Sequence, residues 1–238
     1  MAMETTNDGK RIKESYEISK TRKFLGGKLI EATRDFPQGT GSTYFAMEPL
    51  QELKKKLCEQ NPHVTYTSLF TKLAAEGLKK HPIMNSALID NKTFYVYDSI
   101  NIGVGVGLEE GVMMVVIKEA QDKNIFEISD ELQEDITLLK NKKLPWDRMM
   151  GSTFTVSNMG MLGVEQFTPF TTVPETAILG IGQTYRRPWV NEDDSITAHD
   201  VCCLSCTVNH AAVDGLHGGL YLKTMLELVK HPADFMGL

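Results

Sequence analysis

The stretch NHAAVDGLHGG, Asn209 to Gly219, follows directly on the run VCCLSCTV, Val201 to Val208, and precedes a segment with helical spacing that ends near Lys230. The run is apolar and short, so it reads as a buried strand, and the segment from about Asp214 to Lys230 reads as a closing helix. Chemistry is often mounted where a strand hands over to a helix. Working outward, FTVSN and TAILGIG read as further strands, with a polar hairpin around Asn191 to Asp194. Ile125, Ile128, Leu132, Ile136 and Leu139 recur at helical spacing and mark an amphipathic helix. SALID, TFYVYD and the alternating Ile100, Ile102, Val104 and Val106 are strand-like, and the continuous run VMMVVI reads as a strand buried on both faces.

Toward the N-terminus, STYFAM (Ser42 to Met47) reads as a strand, and Leu50, Leu53 and Leu57 mark a helix starting near Glu48. Thr67 is the expected N-cap of the next helix, which buries Leu69, Phe70, Leu73, Ala74 and Leu78 and stops before Pro82. A helix is expected after Ser19, with Gly26-Gly27 inside it at about 1 kcal/mol per glycine relative to Ala, a cost that points to close packing there. The sum is an α/β or α+β domain with one mostly buried sheet.

With 238 residues, 42% hydrophobic and 24% charged, the chain has the length and composition of a soluble globule and is neither disordered, collagenous nor coiled-coil. The formal charge of −6, with no local basic patch, argues against nucleic acid as a partner. The polar opening MAMETTNDGKRIKESYE is no signal peptide, and no apolar run has the length of a membrane span, so a cytoplasmic protein is expected. Residues 1–13 read as a flexible tail and 14–238 as a single domain. Of the 4 cysteines, three crowd at Cys202, Cys203 and Cys206, and reduced thiols are expected. Cys203 and Cys206 have CxxC spacing, but three residues apart on a strand they face opposite ways, which disfavours a zinc or redox pair.

IGVGVG, Ile102 to Gly107, is GxGxG leading into a strand, not a dinucleotide fingerprint opening a helix. Neither GxxxxGK[ST] nor GxSxG occurs. Three readings remain for His210, Asp214 and His217. On one helical face they would be a metal trio. They are also compatible with ordinary capping and packing. Third, His210 is a catalytic base that takes a proton from a thiol or hydroxyl once a carboxylate or carbonyl fixes its tautomer.

HxxxDG at the start of the last helix resembles the signature of the CoA-dependent acyltransferases, which include chloramphenicol acetyltransferases and the catalytic domain of dihydrolipoyl acyltransferases of 2-oxo acid dehydrogenase complexes. The similarity to the latter extends over ISKTRKFLGGKL, HPIMNSAL, YDSINIGVGV, GSTFTVSNMG, QFTPFTTVPETAILGIG and HPADFM, in order, from about Ile18 onward. The resemblance implies a chloramphenicol acetyltransferase-like two-layer fold, a mixed sheet covered by helices, assembled as a homotrimer with active sites between subunits. It implies acyl transfer between coenzyme A and a thiol, hydroxyl or amine acceptor. Thioester transfer needs a base and an oxyanion donor but no metal. It makes His210 the general base, Ser157 the oxyanion-binding hydroxyl reaching His210 from the neighbouring subunit, and Asp214 the structural carboxylate, with Arg22 as its candidate partner. The family usually reads DHRxxDG, whereas Asn209, His210 and Ala211 stand here, and His217 after DGL is more like the chloramphenicol enzymes. No lipoyl domain, subunit-binding domain or Ala/Pro-rich linker is legible, so a lipoyl group is expected from a separate carrier, or the acceptor is not lipoamide. The alternatives are a small-molecule O-acetyltransferase and a scaffold relative of the complex core.

Overall fold

The computed structural model describes residues 6–90, 92–108, 111–191 and 193–238. In chain order its elements are α1 (Lys20–Asp35), β1 (Gln38–Ala46), α2 (Glu48–Cys58), α3 (Tyr66–Lys80), β2 (Ser86–Ile89), β3 (Thr93–Val96), β4 (Ile102–Leu108), β5 (Gly111–Ile117), α4 (Ile125–Lys140), β6 (Phe154–Asn158), β7 (Ala177–Ile181), β8 (Tyr185–Val190), β9 (Ile196–Asn209) and α5 (Gly215–Lys230). The main sheet runs β1-β9-β7-β6-β4-β5, with β8 paired to the first half of β9, and β2 and β3 form a separate hairpin. It is mixed, because β6 is parallel to both β4 and β7 while the other pairings are antiparallel. The expected mixed sheet covered by helices is therefore the fold. Among the described residues no helix is long and apolar enough to cross a membrane.

Side-chain alternation divides β9 between two surroundings. Cys202, Leu204, Cys206 and Val208 join the main core under the helices, where α3 packs against both α4 and α5. There Phe154 of β6 meets the fully buried Tyr221 of α5 with ring centroids 5.6 Å apart. The opposite face pairs hydroxyls across β1 and β9, Thr40 with Thr207 at 2.8 Å and Ser42 with Ser205 at 3.0 Å. The CxxC pair is split between these faces, and all four cysteines are free. Burial pushes the Cys202 and Cys206 thiols up to about 12, which leaves them without thiolate character at neutral pH.

Several expectations are corrected. α3 is capped by Thr65, not Thr67: the Thr65 side chain accepts the Ser68 N–H at 3.1 Å while the Ser68 hydroxyl accepts the Thr65 N–H at 2.9 Å. This reciprocal box needs its partner at the third helical position, and Ser68 supplies it. β5 is not buried along its whole length; Val112 is 59% exposed, and burial is complete only from Val115 to Ile117, on a strand that α4 packs against. β1 begins at Gln38, four residues ahead of the strand expected at Ser42. The Gly26-Gly27 pair of α1 has nothing within 4 Å of where either Cβ would stand, so no close packing within one chain explains it. The GxGxG run is strand β4, and a Cβ on Gly103 would come within 3.0 Å of Ser152. Of the tail expected over 1–13, residues 1–5 lie outside the described residues, and Thr6 to Lys10 form a hydrogen-bonded turn. In the hairpin at Asn191 to Asp194, residue 192 is likewise outside them.

Candidate functional site

β9 ends at Asn209, and the chain turns before α5 begins at Gly215. Asn209 builds that turn: its backbone carbonyl accepts the N–H groups of Ala212 at 3.0 Å and Val213 at 2.9 Å, and its side-chain oxygen accepts that of Ala211 at 3.0 Å. His210 therefore leaves the sheet at a fixed angle, with its own N–H donated to the Pro37 carbonyl at 2.7 Å. Its ring lies against backbone that carries no Cβ. A Cβ on Gly39 would stand 2.8 Å from Cδ2 of His210, and one on Gly215 would stand 3.4 Å from Nε2. These two glycines open the space for the imidazole, and no periodicity in the sequence marks them.

The structure brings Asp214 to His210 but in looser contact than a hydrogen bond. The Asp214 carboxylate is 4.0 Å from Nδ1, and the two side chains are 76% and 47% exposed. Asp214 holds the N-cap position of α5 with no side-chain capping bond. The metal-trio geometry fails, because His210 sits in the turn and not on the helix; only His217 has entered α5. Among the described residues no three His, Cys, Asp or Glu side chains gather as metal ligands. Nδ1 of His217 is buried without a partner. Arg22 is not brought to Asp214. It lies on α1 with its guanidinium beside Gly111, the first residue of β5.

Ser157 lies on β6, level with Gly180 of β7, which is level with Ser205 of β9. His210 is five residues beyond Ser205, so the two are separated by roughly 17 Å along the strands and about 10 Å across them. One chain does not unite Ser157 with His210. Next to Ser157, Asn158 turns to the helix side and donates to the Thr67 hydroxyl at 3.1 Å, bordering a groove of about 450 Å³. The groove has an apolar floor, including Phe70 and Ile181, and polar walls from Thr65, Thr67 and Gln183. Among the described residues Lys54 is its one charged lining residue, 5.4 Å above the Tyr66 ring. The first turn of α3 borders the same space, an arrangement that favours anionic groups. The sequence reading missed this groove because its walls come from five separate segments.

Comparison with known proteins places the chain. The family described as 2-oxoacid dehydrogenases acyltransferase (catalytic domain) matches residues 10–237. The dihydrolipoyllysine-residue acetyltransferase component of the pyruvate dehydrogenase complex of Staphylococcus epidermidis is 31% identical over 221 residues, 91% of this chain and 51% of its own length. The corresponding component of the acetoin cleaving system of Bacillus subtilis is 29% identical over 91% of this chain and 55% of its own length. The chain thus spans about half the length of the curated relatives it matches. A probable dihydrolipoamide acetyltransferase from Listeria monocytogenes superimposes with a TM-score of 0.86 at 26% identity, covering 92% of this chain and 94% of that one. The Azotobacter vinelandii dihydrolipoamide acetyltransferase shares the fold at a TM-score of 0.89 and 24% identity, covering 96% of each chain. A chloramphenicol acetyltransferase is more distant, at 0.53 and 13%, covering 92% of this chain and all of that one, so the pattern around His217 does not move the chain toward that group. This chain belongs to the family of 2-oxoacid dehydrogenase acyltransferase catalytic domains.

Proposed function

We propose that this domain transfers an acetyl group between coenzyme A and the thiol of a dihydrolipoyl group, at sites formed between the copies of a homotrimer. The observation that carries this reading is the seat of His210. The imidazole is half exposed at the start of α5 and lies against the side-chain-free backbone of Gly39 and Gly215. The acyl group follows the relatives, which are dihydrolipoyllysine-residue acetyltransferases. The separation of Ser157 from His210 within one chain supports a site closed by a neighbouring copy. In the cleft, His210 takes the proton of the attacking thiol as its sulfur bonds to the thioester carbonyl carbon. The Ser157 hydroxyl donates to the oxyanion that develops. Collapse breaks the original carbon–sulfur bond, and the departing thiolate recovers the proton from His210.

Asp214 stands beside His210 as the structural carboxylate of the site, 4.0 Å from Nδ1. The study of the Azotobacter enzyme concerns a serine, a histidine and an asparagine in catalysis, the last two four residues apart; His210 and Asp214 have the same spacing. The groove bordered by Lys54 and the first turn of α3 fits the coenzyme A arm, since a cation and helix N–H groups suit phosphate and the threonines and Gln183 suit its amides. The test is acetyl transfer from acetyl-CoA to dihydrolipoamide. His210→Ala is expected to lose about 10²- to 10⁴-fold in kcat, and Ser157→Ala about 10²- to 10³-fold, with the oligomer intact. A His210→Ala protein that turns over at the wild-type rate rejects the assignment.

A further inference from the structure

Asn209 is wholly buried at the last position of β9, and it touches no outer surface through which it would meet substrate. Its hydrogen bonds run instead to both sides of His210. The backbone N–H donates to the Thr176 carbonyl at 2.7 Å, tying the end of β9 to the lead of β7. The side-chain oxygen takes the Ala211 N–H, and the backbone carbonyl takes those of Ala212 and Val213. A side-chain carbonyl that captures the N–H two residues on forms an Asx turn, which sets the course of the intervening residue's backbone. That intervening residue is His210. The other end of the side chain, Nδ2, is buried without a partner, so the amide is held from its oxygen side alone. Across the sheet its neighbour is Gln38, whose side-chain oxygen accepts the Thr171 N–H at 3.1 Å; the Thr171 hydroxyl is buried and unpartnered as well.

We propose that Asn209 is the positioning residue of His210: its side-chain carbonyl, closing the turn through Ala211, aims the imidazole into the space left by Gly39 and Gly215. This deepens the acyltransfer reading and rests on it. It also accounts for how a base with a single carboxylate in loose contact is kept in place. His210 faces Gly39 from β1, the Pro37 carbonyl from the link after α1, and Gly215 and the Asp214 carboxylate from α5. The charged pair at the end of α1, Arg34 with Asp35, is satisfied within itself. Asp214 is then the carboxylate available to the ring, and Asn209 contributes direction without charge.

The experiment compares Asn209→Ala with Asn209→Asp. Alanine removes the turn acceptor, and a base displaced by about 1 Å can cost on the order of 100-fold, so kcat is expected to fall by that order with KM for acetyl-CoA within about twofold. Aspartate keeps the acceptor oxygen and is expected to recover kcat to within about threefold. A residue that merely stabilised the fold would not lower kcat with KM held, nor be rescued by an acceptor oxygen alone. Unchanged kcat in Asn209→Ala, or a loss that Asn209→Asp fails to recover, overturns the proposal. Crystal structures of the two variants read it independently of activity. The His210 ring should leave its seat against Gly39 in Asn209→Ala and keep it in Asn209→Asp; a ring unmoved in Asn209→Ala rejects the proposal. A wild-type protein that transfers no acetyl group would instead reject the underlying reading.

Discussion

The two faces of the central sheet bury their side chains by opposite means. On the helix side, Phe154, Val156, Leu204 and Cys206 meet α3 and α5 in an apolar core that one chain completes by itself. On the other side, Thr40, Ser42, Ser205 and Thr207 are joined by hydroxyl pairs, and Thr155 and Ser152 both donate to the buried carboxyl of Glu175. α1 lies apart from the main core: only Ala32 joins Phe36 and Val173 in a small cluster, while Phe24 and Ile30 remain 46% and 64% exposed. The helix side is therefore where folding free energy is concentrated. The polar side also carries Ser157, which one chain leaves far from His210.

The largest expected effect breaks the comparison at its apolar half. Phe154→Ala removes a fully buried ring that packs on Tyr221, and truncations of this kind cost about 3–5 kcal/mol. Urea unfolding should show this loss in full. A loss below about 1 kcal/mol would mean that the helix-covered core is not the main source of stability.

The polar half gives a pH-dependent counterpart. Glu175 is buried with two hydroxyl donors, Ser152 at 2.5 Å and Thr155 at 2.6 Å, and burial pushes its carboxyl from an ordinary 4.5 up to about 7. Between those values the folded chain holds a proton that the unfolded chain has released. Stability is thus fully present below about pH 4.5 and declines as pH rises to about 7, by on the order of 3 kcal/mol at most. Asp135, buried on α4 beside Arg148, is pushed up to about 6 because burial outweighs the guanidinium, and it slopes the same way. Glu175→Gln keeps the shape of the strut and removes its titration. The fall in unfolding free energy from pH 5 to 7 should become shallower without vanishing, since Asp135 still titrates. An unchanged slope would show that Glu175 does not carry the proton.

What the sequence made legible follows from the range of the interactions involved. Strand β9, the closing helix and α4 were readable because periodicity is local, and the split of Cys203 from Cys206 followed from alternation alone. The cap of α3 was displaced by two residues because several threonines in VTYTSLFT compete for the role, and only the position of Ser68 decides among them. The exposure of β5 over its first half is not legible because an apolar run does not report how far a helix covers its faces. At the site, the HxxxDG motif and family likeness single out His210, Asp214 and Ser157 as candidates, of which one chain sets His210 and Asp214 side by side. Gly39, Gly215 and the Pro37 carbonyl, which seat the ring, come from distant segments and leave no local signal.

The smallest effect sharpens the contrast at α1. Gly26 and Gly27 stand in mid-helix with open space where their side chains would be, although each costs about 1 kcal/mol relative to alanine. If α1 faced only solvent, Gly26→Ala and Gly27→Ala would each stabilise the chain by about that amount. If a neighbouring copy closes against the helix, the added methyl groups meet its surface, and the gain disappears or turns into a loss of assembly. The exposed Phe24 and Ile30 on the same helix favour the second outcome, since they leave apolar surface for a neighbour to cover. Thermal unfolding and sedimentation of the Gly26→Ala, Gly27→Ala double variant decide between the two. A variant stabilised by about 2 kcal/mol with its oligomer unchanged would place the subunit contact away from these glycines. A variant that dissociates would put the contact on α1.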